Sequence, residues 1–302
     1  MKTFIAVPNP VFFEGAGNTA TERADEHAKF IFDYILKHGY RSQDLKQKYD
    51  DGTPAYTLSV NHVTQTFDLS KGDFPLLSLR PSSPNYAIRE MLWIYKDQTT
   101  NLDCLNEYGV NWWNPYDIWN NSIWECYWRT VKNYRIIENL IEGLKNYPDS
   151  RCHIIDLYQY KDFSEKYAMR PCALYSQYYV RYKDGDAYLD WFLLLRSSDY
   201  VVHGAMNQIQ YIALLMMIAQ ICWYKVWTFT VEMVNCQIYD RFIEPVKEML
   251  NRQSVPANPY LELDTTVKDF FDFKSSNFVI KDFPKEEIQK KNSRLKFDIA
   301  RF

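Results

Sequence analysis

Hydrophobic residues along the chain repeat with two different periods. Between residues 24 and 40 they recur every three or four positions, with Phe30, Ile31, Tyr34 and Ile35 on one stripe, which predicts an amphipathic helix. The same spacing predicts helices over 88–95, 133–144, 206–222 and 245–252. Alternating apolar and polar positions predict a pair of strands within 56–69 and single strands over 153–158, 174–181, 188–196, 226–239, 278–283 and 295–299.

The order of these elements indicates the fold class. Helices and strands follow one another without a regular alternation, which favours an α+β protein over a doubly wound one. Pro8, Pro10 and Gly15 interrupt every period near the start, so residues 1–23 are expected to form an irregular extension. No internal repeat or linker follows, and we expect residues 24–302 to form a single domain.

Composition excludes several classes of protein. The chain has 302 residues, of which 47% are hydrophobic, so it can bury a large core and is not a disordered protein. Its 35 Lys and Arg oppose 38 Asp and Glu, which weighs against a nucleic-acid partner. The longest apolar run, residues 212–219, is too short to cross a bilayer. With no signal peptide evident, we expect a cytoplasmic protein without a membrane partner.

The cysteines point to thiol chemistry rather than to a metal. Six cysteines are spread over the chain without a Cys-x-x-Cys pair, so we expect free thiols and no metal site. Cys172 follows Pro171 and precedes a run of strand composition, which can place its thiol at the mouth of a cleft. The alternative is that Cys172 is a small buried hydrophobic residue, as free cysteines usually are.

A second segment of the chain suggests which kind of ligand binds near the Cys172 thiol. Arg196 and Ser197 combine a guanidinium fork with a hydroxyl donor, a pair that suits a phosphate group. Arg196 could also lower the pKa of a neighbouring thiol. Asn207 carries a donor and an acceptor on one amide, which can recognise a uracil-like edge. The alternative for this segment is a solvated turn.

Taken together, these motifs resemble the thymidylate synthases. The resemblance runs in family order from about residue 25 to residue 299. Its motifs are Thr57-Leu58-Ser59-Val60, Phe74-Pro75-Leu76-Leu77, Glu90-Met91-Leu92-Trp93, Gly109-Val110 leading to Trp113, Trp128-Arg129, Pro148-Asp149-Ser150-Arg151, Pro171-Cys172, Arg196-Ser197-Ser198-Asp199, Asn207 and Ile238-Tyr239.

The resemblance implies a reaction, a fold and roles for individual residues. It implies methylation of dUMP to dTMP with 5,10-methylenetetrahydrofolate as carbon and hydride donor, by a mixed sheet packed with helices that dimerises through its sheet face. It makes Cys172 the nucleophile that adds to carbon 6 of uracil and Glu90 a general acid and base. The other implied roles are phosphate binding by Arg196 and Ser197, pyrimidine recognition by Asn207, sugar binding by Tyr239, pterin binding and catalysis by Asp199, folate contacts by Trp113 and Tyr116, and a phosphate contact that Arg151 lends to the partner subunit of a homodimer.

Several positions depart from the family pattern. Cys152 stands where a second arginine usually follows Arg151, and Gln237 stands where a histidine is expected. The tyrosine usually found near the carbon-5 proton falls on Trp124, with Tyr127 close by as a substitute. These departures leave two alternatives open. One is a dUMP hydroxymethylase, which ends the reaction with water instead of folate hydride, and the other is a catalytically impaired homologue that only binds nucleotide.

Two tryptophans stand where the family commonly has glycine. Trp223 and Trp227 follow the long apolar helix predicted over 206–222. If both are genuine, the surrounding core must be reshaped to hold them, and we expect glycine at either position to open a cavity. The alternative is that codons which specify glycine in the source, such as UGA in some genetic codes, are read as tryptophan.

Overall fold

A computed structural model describes residues 17–43, 46–117, 120–123, 126–163, 170–298 and 300. Within these residues the helices are α1 (Ala20–His38), α2 (Pro84–Met91), α3 (Leu102–Glu107), α4 (Tyr127–Asn133), α5 (Ile136–Asn146), α6 (Gly204–Ile221), α7 (Ile243–Asn251) and α8 (Lys285–Lys291). The strands are β1 (Tyr40–Arg41), β2 (Thr57–Asp68), β3 (Ile154–Asp156), β4 (Ala173–Lys183), β5 (Asp186–Leu195), β6 (Ser198–Asp199), β7 (Lys225–Tyr239), β8 (Tyr260–Leu263) and β9 (Phe278–Lys281).

One mixed sheet organises the chain. Its strand order is β1-β2-β7-β5-β4-β3, and β6 pairs with the far end of β7. The 15-residue β7 pairs antiparallel with β2 on one side and parallel with β5 on the other. Helix α6 connects that parallel pair, as a crossover between parallel strands requires. A separate hairpin of β8 and β9 lies outside this sheet. The predicted α+β class and mixed sheet are therefore confirmed.

Helix α6 lies in the core between the sheet and α2. Most of its side chains are buried, which explains why the sequence is apolar around the whole helix. Buried Gln208 is satisfied because its Nε2 donates to Oε1 of Gln65 on β2 at 2.6 Å. No helix in the described part of the chain has both the length and the hydropathy needed to cross a membrane.

The face of the sheet opposite α6 is partly exposed in a single chain. Tyr178 of β4 and Trp191 of β5 stack on the helix side and are fully buried. Their alternating neighbours Tyr179 and Phe192 pair with Asp190 and Gln177 on the opposite face, where Tyr179 is 42% exposed. This face presents aromatic and aliphatic side chains without a covering layer from the described residues.

Three predictions differ from the observed structure, and the elements α3, α4, α8, β1 and β8 were not predicted. Thr19 caps α1 in a capping box with Glu22, so residues 20–23, predicted to be irregular, already belong to the helix. The strand pair predicted within 56–69 is one strand, β2, which has a positive φ of 61° at His62. The strand predicted over 295–299 is absent from residues 295–298, and Ile299 lies outside the described residues.

A buried carboxyl group anchors the segment before α2. Asp25 on α1 is fully buried, and its Oδ1 accepts the backbone N–H of Ser78 at 2.9 Å while Oδ2 accepts the Ser78 hydroxyl. Asn292 donates from its side chain to the Ser78 carbonyl at 2.8 Å. Burial raises the pKa of Asp25 to about 6, although the bonds from Ser78 lower it in part.

This pKa makes stability depend on pH. Because the folded pKa of Asp25 lies above its ordinary value, its contribution to stability is full at low pH and is lost as pH rises through about 6. The ionised group then costs up to about 3 kcal/mol. We expect the free energy of unfolding of Asp25→Asn, relative to that of the wild type, to increase from pH 5 to pH 8 in urea unfolding. Asp33→Asn, an exposed change on the same helix, is the control. A difference in unfolding free energy between wild type and Asp25→Asn that stays constant from pH 5 to pH 8 would contradict the prediction.

Trp223 does not lie in the core. Its side chain is 79% exposed, so the expectation that a reshaped core holds it is wrong. It follows α6 with a φ of +63°, and the bonds Trp223 N–H to Gln220 O and Tyr224 N–H to Ala219 O form a Schellman turn. Glycine is favoured at this left-handed position because it has no Cβ. The backbone at 223 is therefore one that glycine would adopt without the strain that a tryptophan bears there.

Trp227 has different surroundings. It lies within β7, its ring packs against Tyr188 at 4.9 Å between centroids, and the Arg181 guanidinium lies 4.1 Å from its ring centroid. A glycine here would lose this packing and would weaken the strand. Trp227 is half-buried and needs no unusual backbone to be accommodated.

We predict opposite effects for the two glycine variants. Trp223→Gly removes about 1–2 kcal/mol of left-handed strain and loses about 0.5 kcal/mol from the exposed contact with Lys145, so its Tm should rise by about 1–2 °C. Trp227→Gly should lose about 2 kcal/mol or more, and its Tm should fall. Thermal melts of both variants measure the signs. A lower Tm for Trp223→Gly would contradict the backbone argument.

Candidate active site

The pairing of β4 with β5 places Cys172 beside Arg196. Ala173, which begins β4, pairs with Leu195, which ends β5. The residues just outside these two strands therefore lie side by side at one end of the strands. The Arg196 N–H donates to the Cys172 carbonyl at 2.8 Å. Its side chain turns back over the same segment, where Nε donates to the Pro171 carbonyl and Nη2 to the Arg170 carbonyl, each at 2.8 Å. The guanidinium is thus fixed next to the thiol.

The half-buried thiol of Cys172 has two groups that favour its charged form. Burial raises the pKa of Cys172, while the charge of Arg196 and a hydrogen bond with Tyr127 oppose that rise. The Tyr127 hydroxyl also accepts the Cys172 backbone N–H at 2.7 Å. The neighbouring Cys126 is fully buried, and burial raises its pKa too. Arg196 and Tyr127 thus favour the thiolate of Cys172, although burial leaves its pKa above the ordinary value.

Glu90 lies in the last turn of α2, where the helix widens into a π-helical segment, Leu92–Asp97. Such segments are frequent at functional sites. Its Oε1 accepts the indole N–H of Trp113 at 2.6 Å, and its Oε2 accepts the indole N–H of Trp112 at 3.2 Å. Burial raises the pKa of Glu90 to about 7, although the two indole donors lower it in part. Glu90 can therefore hold or release a proton near neutral pH.

An aromatic cluster connects Glu90 with Cys172. Trp113 contacts Tyr116 at 5.8 Å and Trp128 at 5.9 Å between ring centroids. Trp128 in turn contacts Tyr127 at 5.7 Å, and the Tyr127 hydroxyl reaches the backbone of Cys172. The acid and the thiol thus stand at the two ends of one packed group of rings.

Asp199 is held by the turn that follows β6. Its Oδ1 accepts the backbone N–H groups of Val201 at 3.1 Å and Val202 at 3.2 Å. Arg80 donates from Nη2 to the carbonyls of the same two residues, at 3.0 and 3.3 Å, and so clamps the turn from behind. Burial raises the pKa of Asp199, and the charge of His203 and the two N–H groups oppose this rise.

The remaining predicted ligands of the nucleotide lie around the same edge of the sheet. Ser197 lies between β5 and β6 and is half-buried, and Asn207 lies in the first turn of α6. Tyr239 ends β7, where its ring packs against Phe242 at 5.6 Å and Tyr49 at 6.5 Å between centroids. Tyr116 donates its hydroxyl to the Ala300 carbonyl at 3.3 Å.

Arg151 lies apart from these groups, on the loop before β3. Its side chain is exposed, and its carbonyl accepts the side chain of Gln177 at 2.7 Å. Gln177 lies on the outward face of β4, so Arg151 stands beside the uncovered face of the sheet. Cys152, the departure from the family pattern, is exposed next to it.

Three residues of the site were not assigned from the sequence. Trp112 gives Glu90 its second donor, and its only signal is that it adjoins Trp113. Arg80 acts on backbone carbonyls 121 and 122 residues away, which a sequence pattern does not reveal. Tyr127, considered only as a substitute, contacts Cys172, whereas Trp124 lies outside the described residues. Among the described residues, no three His, Cys, Asp or Glu side chains cluster as metal ligands would.

Comparison with known proteins shows the family to which the chain belongs. The model of the family described as thymidylate synthase matches residues 29–293. The chain is 40% identical over 280 residues to the thymidylate synthase of Lactococcus lactis subsp. cremoris (strain SK11), covering 92% of this chain and 99% of that protein. It is 38% identical over 281 residues to the thymidylate synthase of Streptococcus pneumoniae serotype 4 (strain ATCC BAA-334 / TIGR4), with the same coverage.

A solved structure shows that the similarity extends to the three-dimensional fold. The thermostable thymidylate synthase A from Bacillus subtilis superposes with a TM-score of 0.81 at 30% sequence identity, covering 92% of this chain and 99% of that one. The family and the enzyme class predicted from the sequence are confirmed by these relatives. The chain belongs to the thymidylate synthase family.

Proposed function

We propose that this enzyme methylates dUMP to dTMP with 5,10-methylenetetrahydrofolate, and that Cys172 is its nucleophile. The observation that carries the proposal is the position of Cys172, whose backbone bonds to Arg196 and Tyr127 and whose thiol is influenced by the charge of the first and a hydrogen bond with the second. Attack on carbon 6 of uracil needs a thiolate, and both neighbours stabilise the thiolate against the effect of burial. The addition makes carbon 5 an enolate-like centre that can form a bond to the methylene carbon of the folate.

Glu90 is the acid and base of this scheme. A pKa of about 7 leaves the carboxyl group partly protonated at neutral pH. It can then donate a proton towards the uracil carbonyl, directly or through water, as negative charge develops on that oxygen. The two indole donors fix the carboxyl group in one orientation while it does so.

Tyr127 is the residue that we assign to the carbon-5 proton. Methylation requires that this proton leave before hydride from the folate completes the methyl group and the bond to Cys172 breaks. The Tyr127 hydroxyl lies within hydrogen-bond reach of the Cys172 backbone, so it is close to any ring bonded to the thiol. Loss of this proton is common to methylation and hydroxymethylation, so the contact supports the covalent pathway that the two reactions share.

The phosphate of dUMP would be bound from both subunits of a homodimer. Within the described residues, Nη1 of Arg196 has no acceptor in the protein, while Nε and Nη2 are bonded to carbonyls, so Nη1 and the Ser197 hydroxyl are the donors for phosphate. Arg151 stands beside the uncovered sheet face that carries Tyr179 and Phe192. A second copy packed on that face would bury it and would bring Arg151 to the partner's site.

We assign the other site residues to the remaining parts of dUMP and to the folate. We assign Asn207 to the pyrimidine edge and Tyr239 to the sugar hydroxyl, because both stand at the edge where Cys172 lies. Trp113 and Tyr116 offer rings against which the folate can stack. Asp199, with a pKa raised by burial, is suited to hydrogen bonds with the pterin.

The product of the reaction tests the proposed function. We expect the protein incubated with dUMP and 5,10-methylenetetrahydrofolate to yield a product heavier than dUMP by one CH₂ group, as mass analysis would show. Cys172→Ser should reduce turnover by at least about 10³-fold, because a hydroxyl is a far weaker nucleophile than a thiolate. Cys104→Ser, a change at another half-buried thiol, is the control and should keep turnover.

Each other product identifies an alternative. A hydroxymethyl product would identify a dUMP hydroxymethylase, in which water in place of folate hydride ends the reaction. Unchanged dUMP, from a protein that binds the nucleotide, would show an impaired homologue. Turnover retained by Cys172→Ser would overturn the nucleophile itself.

A mixed dimer tests the shared site. Arg151→Ala should reduce turnover by about tenfold or more, because a charge-assisted bond to phosphate is lost. Chains carrying Cys172→Ser mixed with chains carrying Arg151→Ala should recover about one quarter of wild-type turnover, because half of the dimers then contain one intact site of two. Arg135→Ala, an exposed arginine paired with Glu138, is the control. A monomer that remains fully active at micromolar concentration would contradict the shared site.

A further inference from the structure

We propose that Trp112 is a positioning residue for Glu90, holding the second oxygen of the carboxyl group in the geometry that proton transfer requires. The proposal rests on the role given above to Glu90 and adds a residue to it. Trp113 binds Oε1 at 2.6 Å and Trp112 binds Oε2 at 3.2 Å, so each oxygen has its own indole donor. A carboxyl group held at both oxygens cannot rotate about its last bond.

Local structure explains how two adjacent residues reach one carboxyl group. In a strand, Trp112 and Trp113 would point to opposite faces, but here they lie in a turn that leads into a short 3-10 helix, Asn114–Tyr116. The Trp112 ring is also supported from α2, where Tyr86 contacts it edge-on at 6.1 Å between centroids. Tyr86 lies one helical turn before Glu90, so the indole and the carboxyl group it binds are braced by the same helix.

The two donors set the balance between the charged and neutral forms of Glu90. Burial favours the neutral acid, whereas each indole N–H favours the carboxylate because it can only donate. The shorter bond from Trp113 has the larger effect on the pKa, and the bond from Trp112 has the smaller one. Loss of either donor should move the titration of Glu90 to higher pH, and the size of the shift should follow the order of the two bonds.

Titration of the carboxyl carbon measures this effect without any need for turnover. Protein labelled with ¹³C at the glutamate carboxyl carbons should show one resonance that titrates near pH 7 and is missing from Glu90→Gln. In Trp112→Phe, which keeps an aromatic ring but removes the donor, the midpoint should rise by about half to one pH unit. In Trp113→Phe it should rise further.

Trp93→Phe is the matched control for these variants. Trp93 packs against Trp113, but its indole N–H donates to the Asn101 carbonyl at 3.1 Å and not to Glu90. The same substitution there should leave the Glu90 midpoint in place. A midpoint in Trp112→Phe equal to that of the wild type, while Trp113→Phe moves it, would overturn the proposal.

The pH dependence of turnover separates this proposal from the proposed function. If Glu90 is the general acid, the loss of kcat at high pH should move upward in Trp112→Phe together with the carboxyl titration. A residue that only supports the fold would lower kcat at every pH without moving the profile. If no dTMP forms, the proposed function fails, whereas the ¹³C midpoint still decides whether Trp112 positions Glu90.

Discussion

The register of β4, β5 and β7 is the constraint on which the site depends. Because Ala173 pairs with Leu195, Cys172 and Arg196 meet where β4 begins and β5 ends. Because Asp199 of β6 pairs with Gln237 of β7, the turn that holds the Asp199 carboxylate lies at the same edge. A shift of one residue in either pairing would send these side chains to the opposite face of the sheet.

Burial gives the site its chemistry, and specific donors limit its cost. Burial raises the pKa of Cys172, Glu90 and Asp199 and so favours the neutral form of each group. Each has a different counterweight. Arg196 and Tyr127 act on the thiol, two indoles act on Glu90, and backbone N–H groups fixed by Arg80 act on Asp199. The site thus combines burial with contacts that favour the ionised form of each group.

Much of this arrangement could be predicted from the sequence, because its signals are local. The strand after Pro171 and the apolar helix before Trp223 follow from period and composition, and ordered motifs identify the family. Contacts between distant segments could not be predicted in the same way. The hydrogen bond from Arg80 to Val201 is made to a backbone carbonyl, a group that every residue carries. The parallel pairing of β5 with β7 also depends on where α6 packs.

Trp223 shows a second limit of sequence reasoning. Its size suggests a core residue, yet the Schellman turn at the end of α6 places it in solvent with a left-handed backbone. The turn is set by hydrogen bonds of the helix end and not by the side chain, so size misleads at this position. Trp227, only four residues later, lies in a strand where a large ring can pack.

The central claim is that Cys172, Arg196 and Asp199 form one site in which Cys172 bonds to the pyrimidine. The most direct measurement is peptide mass mapping after incubation with 5-fluoro-dUMP and 5,10-methylenetetrahydrofolate. Fluorine replaces the hydrogen at carbon 5 and, unlike that hydrogen, cannot be removed by a base. The covalent adduct should therefore persist and should map to the peptide that contains Cys172. An adduct on Cys152 or Cys236, or no adduct under conditions in which dUMP is consumed, would contradict the account.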